Sequence, residues 1–331
     1  MQDLLPLTGN YGSKKMVVMV RVIVRVVLIF IISFQSNVLF GQQNAMFSQY
    51  MFNALAINPA YAGSRNVVAA TALYRNQWVG IQGAPKTGTF TVDAPFASER
   101  IGLGMQFSSD KIGITNTTTG VISGAYRIPL NNGSLAFGLE GTVAGYRAGF
   151  SDVELDPAGP IADPGFTTNI NKTLFNFGSG VYYSNDRFFM GLSVKDFVRN
   201  RLNNNDLATD DDITARQSAH AYLATGYVFP LGLDFNLKTS VLGKGVRGAP
   251  IQGDFNATLW IKDILAVGAE YRTSADISAL MELRITPQVR IGYAYDRSTT
   301  TLRTYNSGSH EFMLRYEFSF DRNRVLSPRY F

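Results

Sequence analysis

Cysteine is absent from the 331 residues. That excludes a disulfide framework, a thiolate metal site and the lipidated cysteine of a lipoprotein. Histidine is almost absent, with two in the whole chain, His220 and His310. A hydrolase would have to draw its imidazole base from that pair. Charged residues are scarce at 17%, and the mean hydropathy is +0.01. This is too polar for a bundle of membrane helices and too balanced for a disordered chain. No helix-forming stretch is left over that could cover a sheet. What the chain does have is 12% aromatic residues and 31 glycines, spread along strands of period two.

The clearest strands lie near the C-terminal end. Val289, Ile291, Tyr293 and Tyr295 alternate with Arg290, Gly292, Ala294 and Asp296. Phe312, Leu314, Tyr316, Phe318 and Phe320 alternate with Glu311, Arg315, Glu317 and Ser319. Successive side chains of a strand point to opposite faces, so one face is apolar and the other polar. With no second layer to cover the apolar face, lipid covers it. Sheets survive in lipid only when closed, because an open edge leaves backbone groups unpaired. The fold expected is all-β: a transmembrane antiparallel β-barrel of about fourteen strands, with a short N-terminal helical segment.

Connections support this. Tight turns are expected at 95–99, 129–133, 185–186, 230–231, 262–263 and at Pro287. Longer loops are expected at 76–85, 109–116, 148–172, 198–216, 243–250 and 297–308. Short turns on one rim and long loops on the other match outer-membrane barrels, with the turns periplasmic. Parity sends Ile101, Leu103, Met105 and Phe107 outward, along with Leu233, Phe235, Leu237 and Val241. It leaves Asp234, Asn236, Lys238 and Ser240 inside, with Glu270, Arg272, Glu282 and Arg284. Mixed signs across neighbouring strands leave little net field for ion selection. Tyr182, Tyr183, Phe188, Tyr227, Phe229, Tyr330 and Phe331 suit interfacial girdles or plain packing on the barrel face.

The N-terminus reads as a secretion signal over residues 1–41. Lys14, Lys15, Arg21 and Arg25 precede an uncharged run from Val26 to Phe40, and cleavage is expected near Gly41. Met16 and Met19 are alternative starts. Removing this leader leaves 26 basic and 24 acidic residues, which gives no basis for a nucleic-acid partner. Residues 42–65 form a periplasmic or plug-like segment. In it Phe47, Tyr50, Met51 and Ala54 fall at helical spacing before Asn58-Pro59 stops the pattern. The barrel follows over 66–321, and a tail over 322–331.

Sites of chemistry are few. By parity His220 faces the lumen and His310 faces lipid. Asp152, Glu154, Asp156 and Asp163 have calcium-loop spacing, but Pro157 stands where the turn needs glycine. Asp210 to Asp212 read as solvated surface. Gly243-Lys244-Gly245 lacks the upstream glycine of a phosphate loop. The residues indicate no enzyme, cofactor or metal. Asn58-Pro59 reads as a helix stop and Ala62-Gly63 as a tight lead into the first strand. Trp78, in the first long loop, reads as a candidate contact.

FSQYMFNALAINPAYAGSR from Phe47, then YRNQWVGIQGAPKTGTFTVDAPF from Tyr74, resembles the opening of the PorP/SprF family of Bacteroidota outer-membrane proteins. The most specific words are Asn58 to Gly63 and Arg75, Gln77 and Trp78, and the ending Ser327 to Phe331 is also similar. The resemblance implies a non-enzymatic barrel in the outer membrane of a Gram-negative bacterium. It implies a role in type IX secretion or gliding motility: helping to secrete, receive or anchor a surface protein with a C-terminal sorting domain. It also implies periplasmic lipoprotein partners. Asn58, Pro59, Tyr61, Gly63, Arg75, Gln77 and Trp78 are the expected partner-binding residues. A passive outer-membrane diffusion channel is the alternative.

Overall fold

The computed structural model describes residues 46–96, 99–150, 169–202 and 216–318. The expected signal segment, the acidic groups at 152–163 and 210–212, and the tail lie outside these residues. The strands are β1 (Val68–Asn76), β2 (Lys86–Phe96), β3 (Ile101–Ile112), β4 (Thr115–Leu130), β5 (Gly133–Ala148), β6 (Ile170–Ser184) and β7 (Phe188–Lys195). They continue with β8 (His220–Pro230), β9 (Phe235–Val246), β10 (Gln252–Ile261), β11 (Leu265–Arg272), β12 (Asp276–Arg284), β13 (Val289–Ser298) and β14 (Ser309–Phe318). Each pairs antiparallel with the next, and β14 pairs with β1 from Val68↔Phe318 to Asn76↔His310, closing a fourteen-stranded barrel.

The burial pattern is inverted relative to a soluble protein. Leu139 (70% exposed), Ile122 (67%) and Phe175 (60%) stand outward. Arg75, Glu311, Lys238 and Glu282 are at most 1% exposed. Alternation therefore places lipid-facing and interior residues as parity requires for β3, β11 and β12 and for β9 from Phe235 on, whereas Leu233 and Asp234, expected on β9, lie in the turn before it and are exposed. Among the described residues nine cationic Arg and Lys side chains and nine Asp and Glu side chains are buried. The interior is balanced in charge.

One rim carries only short connections: 97–100, 131–132, 185–187, 231–234, 262–264 and 285–288. Lys262 (φ 52°) and Asp263 (φ 54°) are consecutive left-handed residues, the conformation of a type I′ hairpin whose twist suits antiparallel strands. The opposite rim carries 77–85, 149–169, 196–219, 247–251 and 299–308. The expected loop at 109–116 is instead a two-residue turn, Gly113-Ile114, between extended β3 and β4. Strands β4 and β5 are 16 residues long, against the roughly 9–11 that cross a bilayer. Their ends project beyond the apolar belt. Polar residues such as Ser109, Asp110, Thr117 and Thr118 there carry no hydrophobic alternation, so the sequence reads as loop while the backbone stays paired.

Candidate functional site

Residues 46–65 lie against the inward faces of the strands. In place of an amphipathic helix they form three separate 3₁₀ turns, Tyr50–Phe52, Ala54–Ala56 and Pro59–Tyr61. The segment is buried nearly all round, so it has no solvent face for an amphipathic pattern to mark. Its backbone–backbone hydrogen bonds are local, closing the turns, and protein surrounds it. Burial pushes the Tyr50 phenol above its ordinary range, so it stays neutral.

The segment is tied to the wall along its length. Glu311 of β14 accepts from the backbone N–H of Ser48 and of Gln49, each at 2.9 Å. Asn53 meets the Thr91 hydroxyl of β2 at 3.1 Å. The Lys195 ammonium of β7 donates to the Ala56 carbonyl at 2.8 Å, and Ser193 donates to the Ile57 carbonyl at 2.6 Å. Asp93 of β2 accepts from Gly63 N–H at 2.9 Å, and Arg127 of β4 donates to the Ala62 carbonyl at 3.1 Å. Phe52 packs edge-on against Trp260 of β10 and Tyr61 against Tyr182 of β6. Between Tyr50, Met51, Ala54, Ile57 and the wall at Tyr182, Phe189 and Tyr222 lies a small cavity of about 30 Å³.

Asn58 shows why its residue type is needed. Its carboxamide oxygen accepts from Ala60 N–H at 2.9 Å and caps the turn that Pro59 begins. Its amide nitrogen donates to the Val181 carbonyl at 3.0 Å on the neighbouring strand pair. The wall gives way at this point: a Cβ on Gly180 would lie 2.1 Å from Asn58 Oδ1, and one on Gly138 would lie 2.2 Å from Ala60 N. Gly102 and Gly104 make the same room for Ala62 and Leu55, and Gly292 for Gln49. These inward glycines were the readable signal that sequence reasoning missed. Stripped of side chains, a barrel wall leaves space for another piece of chain.

Arg75 sits at the closing seam. Nη1 lies 2.6 Å from Asp296 Oδ2 of β13 and 3.0 Å from Glu311 Oε2 of β14, and it donates to Ser48 Oγ at 3.0 Å. Arg75 is directly opposite Glu311 in the β1–β14 register. One guanidinium thus joins three strands and the inner segment. A second cluster gathers Arg272, Asp254 and Glu270, each carboxylate at 3.0 Å, with Arg272 also donating to the Phe47 carbonyl. Arg290 pairs with Glu282 at 2.8 Å and stacks near Trp260, and Arg65 pairs with Glu317 at 2.7 Å.

Of the residues expected to contact a partner, Asn58, Pro59, Tyr61 and Arg75 are buried against the segment and the wall. Gly63 has φ 66°, and a Cβ on it would stand 2.9 Å from Gly102 Cα. Their contacts are intramolecular because the interior, not the rim, is where they fold. Gln77 and Trp78 do sit on the loop rim, half-buried. Trp78 has φ 48°, and its N–H donates to Ser309 Oγ at 3.2 Å. Tyr182, expected in a girdle, faces inward beside Tyr61 because even-numbered residues of β6 face the lumen. Tyr227 and Phe229 do face outward. His220 is buried in the interior. Its Nδ1 lies 2.8 Å from the Ser218 carbonyl and 3.6 Å from Asp196, and its ring stacks on Tyr222. Among the described residues no group of three His, Cys, Asp or Glu converges as a metal site.

The family profile described as type IX secretion system membrane protein PorP/SprF matches residues 39–316. The chain belongs to the PorP/SprF family. As a PorP/SprF protein it is a membrane barrel of a secretion system, and the profile covers both the inner segment and β1 to β13. No curated protein matches the chain. Similar solved structures include the Ralstonia pickettii toluene transporter TbuX, 10% identical, covering 85% of this chain and 96% of that one at TM-score 0.49. The CymD monoaromatic hydrocarbon channel is 12% identical, covering 86% and 96% at TM-score 0.47. The Acinetobacter baumannii outer membrane protein Omp33 is 13% identical, covering 76% and 96% at TM-score 0.43. Likeness at this level carries no statement about what the PorP/SprF protein transports or binds.

Proposed function

We propose that this PorP/SprF protein is a plugged barrel of the outer membrane, not an enzyme, that helps the type IX machinery secrete, receive or anchor one surface protein. The observation that carries this reading is the inner segment 46–65, bonded along its length to the inward faces of many strands. A route for solutes needs an open lumen and a field that selects them. Balanced charge among the buried residues and a segment bonded across the interior argue against both. Binding then falls to the rims. The loop rim, with Gln77 and Trp78 on a well-tied loop, is the surface offered to the secreted partner's sorting domain. The rim of short turns is the surface offered to periplasmic lipoproteins. Asn58, Pro59, Tyr61, Gly63 and Arg75 serve by holding the plug in place.

The test has two arms. In planar lipid bilayers the purified chain should give no stepwise conductance at neutral pH. Regular steps from the intact chain would favour the diffusion channel and sink this proposal. In cells, deleting the gene should remove one specific protein from the surface, and Trp78→Ala should reduce its display while barrel levels hold. Unchanged display of every surface protein in the deletion strain would count equally against it.

A further inference from the structure

At the loop-side ends of β2 to β5 the outward face changes character. Lys86 is directly opposite Lys111, Lys111 is opposite Asn116, and Asn116 is opposite Arg147. Asn76 continues the row on β1. Parity points all of these away from the lumen, and Lys86, Lys111 and Arg147 are exposed. None of the three cations forms an ion pair with a described residue. Like charges directly opposite each other destabilise a strand pair, so this arrangement costs stability in the free protein.

What lies beneath the row indicates the ligand. Four residues further along each strand, on the same face, Phe90 (46% exposed) stands opposite Phe107 (55%). Four residues of strand span roughly 13 Å, the scale that separates a lipid headgroup from its acyl chains. Above the lysines, the loop bearing Trp78 encloses a cavity of about 510 Å³ lined by Gln77, Trp78, Gly83, Lys86, Lys111 and Gly113. This loop is held rigidly: Gly113 N–H donates to the Gly83 carbonyl at 2.8 Å, and Val79 pairs with the 307–308 backbone. Trp78 keeps a left-handed backbone at φ 48°, a conformation that for a bulky residue tends to mark ligand clamps.

We propose that Lys86, Lys111 and Arg147 form a site for the phosphate-bearing headgroup of a membrane lipid in the leaflet at the loop rim, with its acyl chains along Phe90 and Phe107. The lysine stems run over apolar surface while their ammonium groups reach the phosphate. Arg147, two strands from Lys111 and so roughly 10 Å away, reaches a second phosphate or the far edge of a large headgroup. The site rests on the membrane barrel and stands or falls independently of the secretion role.

Native mass spectrometry of the full chain released from detergent micelles tests it, using dioleoyl phosphatidic acid, dioleoylglycerol and glycerol phosphate as probes. Juxtamembrane cations each contribute about fivefold to anionic-lipid affinity. The triple variant Lys86→Gln, Lys111→Gln, Arg147→Gln should therefore lose phosphatidic acid binding by roughly a hundredfold. Arg247→Gln, an exposed cation just after β9 and seven strands from β2 around the barrel, should leave binding unchanged. Heat-modifiable gel mobility confirms that every variant is folded. Equal binding by the triple variant, or equally tight binding of dioleoylglycerol, overturns the site. Glycerol phosphate binding as tightly as phosphatidic acid overturns the assignment to lipid.

Discussion

Replacing Arg75 with alanine removes a cation that faces both Asp296 and Glu311, at 2.6 and 3.0 Å, where all three side chains are at most 1% exposed. At 4 Å and an effective dielectric of about 20, a charge pair is worth roughly 4 kcal/mol. Two such attractions vanish and two carboxylates are left facing each other. Relaxation and proton uptake return part of this, so the net loss expected on breaking a buried pair is about 3–5 kcal/mol. Urea unfolding of the barrel in lipid vesicles measures it, with Trp78 and Trp260 as reporters at the seam and in the interior. The variant carrying Arg75→Met, Asp296→Asn and Glu311→Gln should regain at least half of the loss, because the uncompensated charges are gone. A loss below about 1 kcal/mol for Arg75→Ala alone would refute the view that this pair clamps the seam.

Gly138→Val places side-chain atoms where Ala60 already sits, since even a Cβ there would be 2.2 Å from Ala60 N. The segment or the wall must move, and a loss of about 1–3 kcal/mol in the same unfolding assay is expected. Leu139→Arg, one residue away on the lipid face and 70% exposed, should cost about 2–4 kcal/mol in vesicles. The contrast with a soluble protein, where an exposed Leu→Arg is nearly neutral, makes this a direct test of lipid contact.

The barrel was legible because its physics is local. A period of two, short turns on one rim and the absence of any covering layer specify a closed sheet in lipid, and parity alone places Glu270, Arg272 and Glu282 inside, where they are buried. The projecting strand ends were not legible, because above the membrane nothing selects apolar residues at alternate positions. Residues 109–116 therefore looked like loop. Tyr182 was misplaced because an aromatic near a strand end looks the same facing lipid or facing Tyr61. The specific words around Asn58 and Arg75 stood out as text, but their meaning is long-range. Asn58 meets Val181, and Arg75 meets Glu311, partners more than a hundred residues away. Only the inward glycines at 102, 104, 138, 180 and 292 hinted at it.

Because the chain has no cysteine of its own, an engineered pair reports on the inner segment without background. A Cβ on Gly104 would lie 3.4 Å from the Ala62 Cβ, with the side chain of Leu55 free to shift, close to the 3.5–4.5 Å that a disulfide spans. Ala62→Cys with Gly104→Cys, expressed in the membrane and mildly oxidised, should yield a peptide cross-link between the segment and β3, seen by mass spectrometry after proteolysis. Two free thiols, both open to a water-soluble maleimide, would show that residues 46–65 do not occupy the barrel.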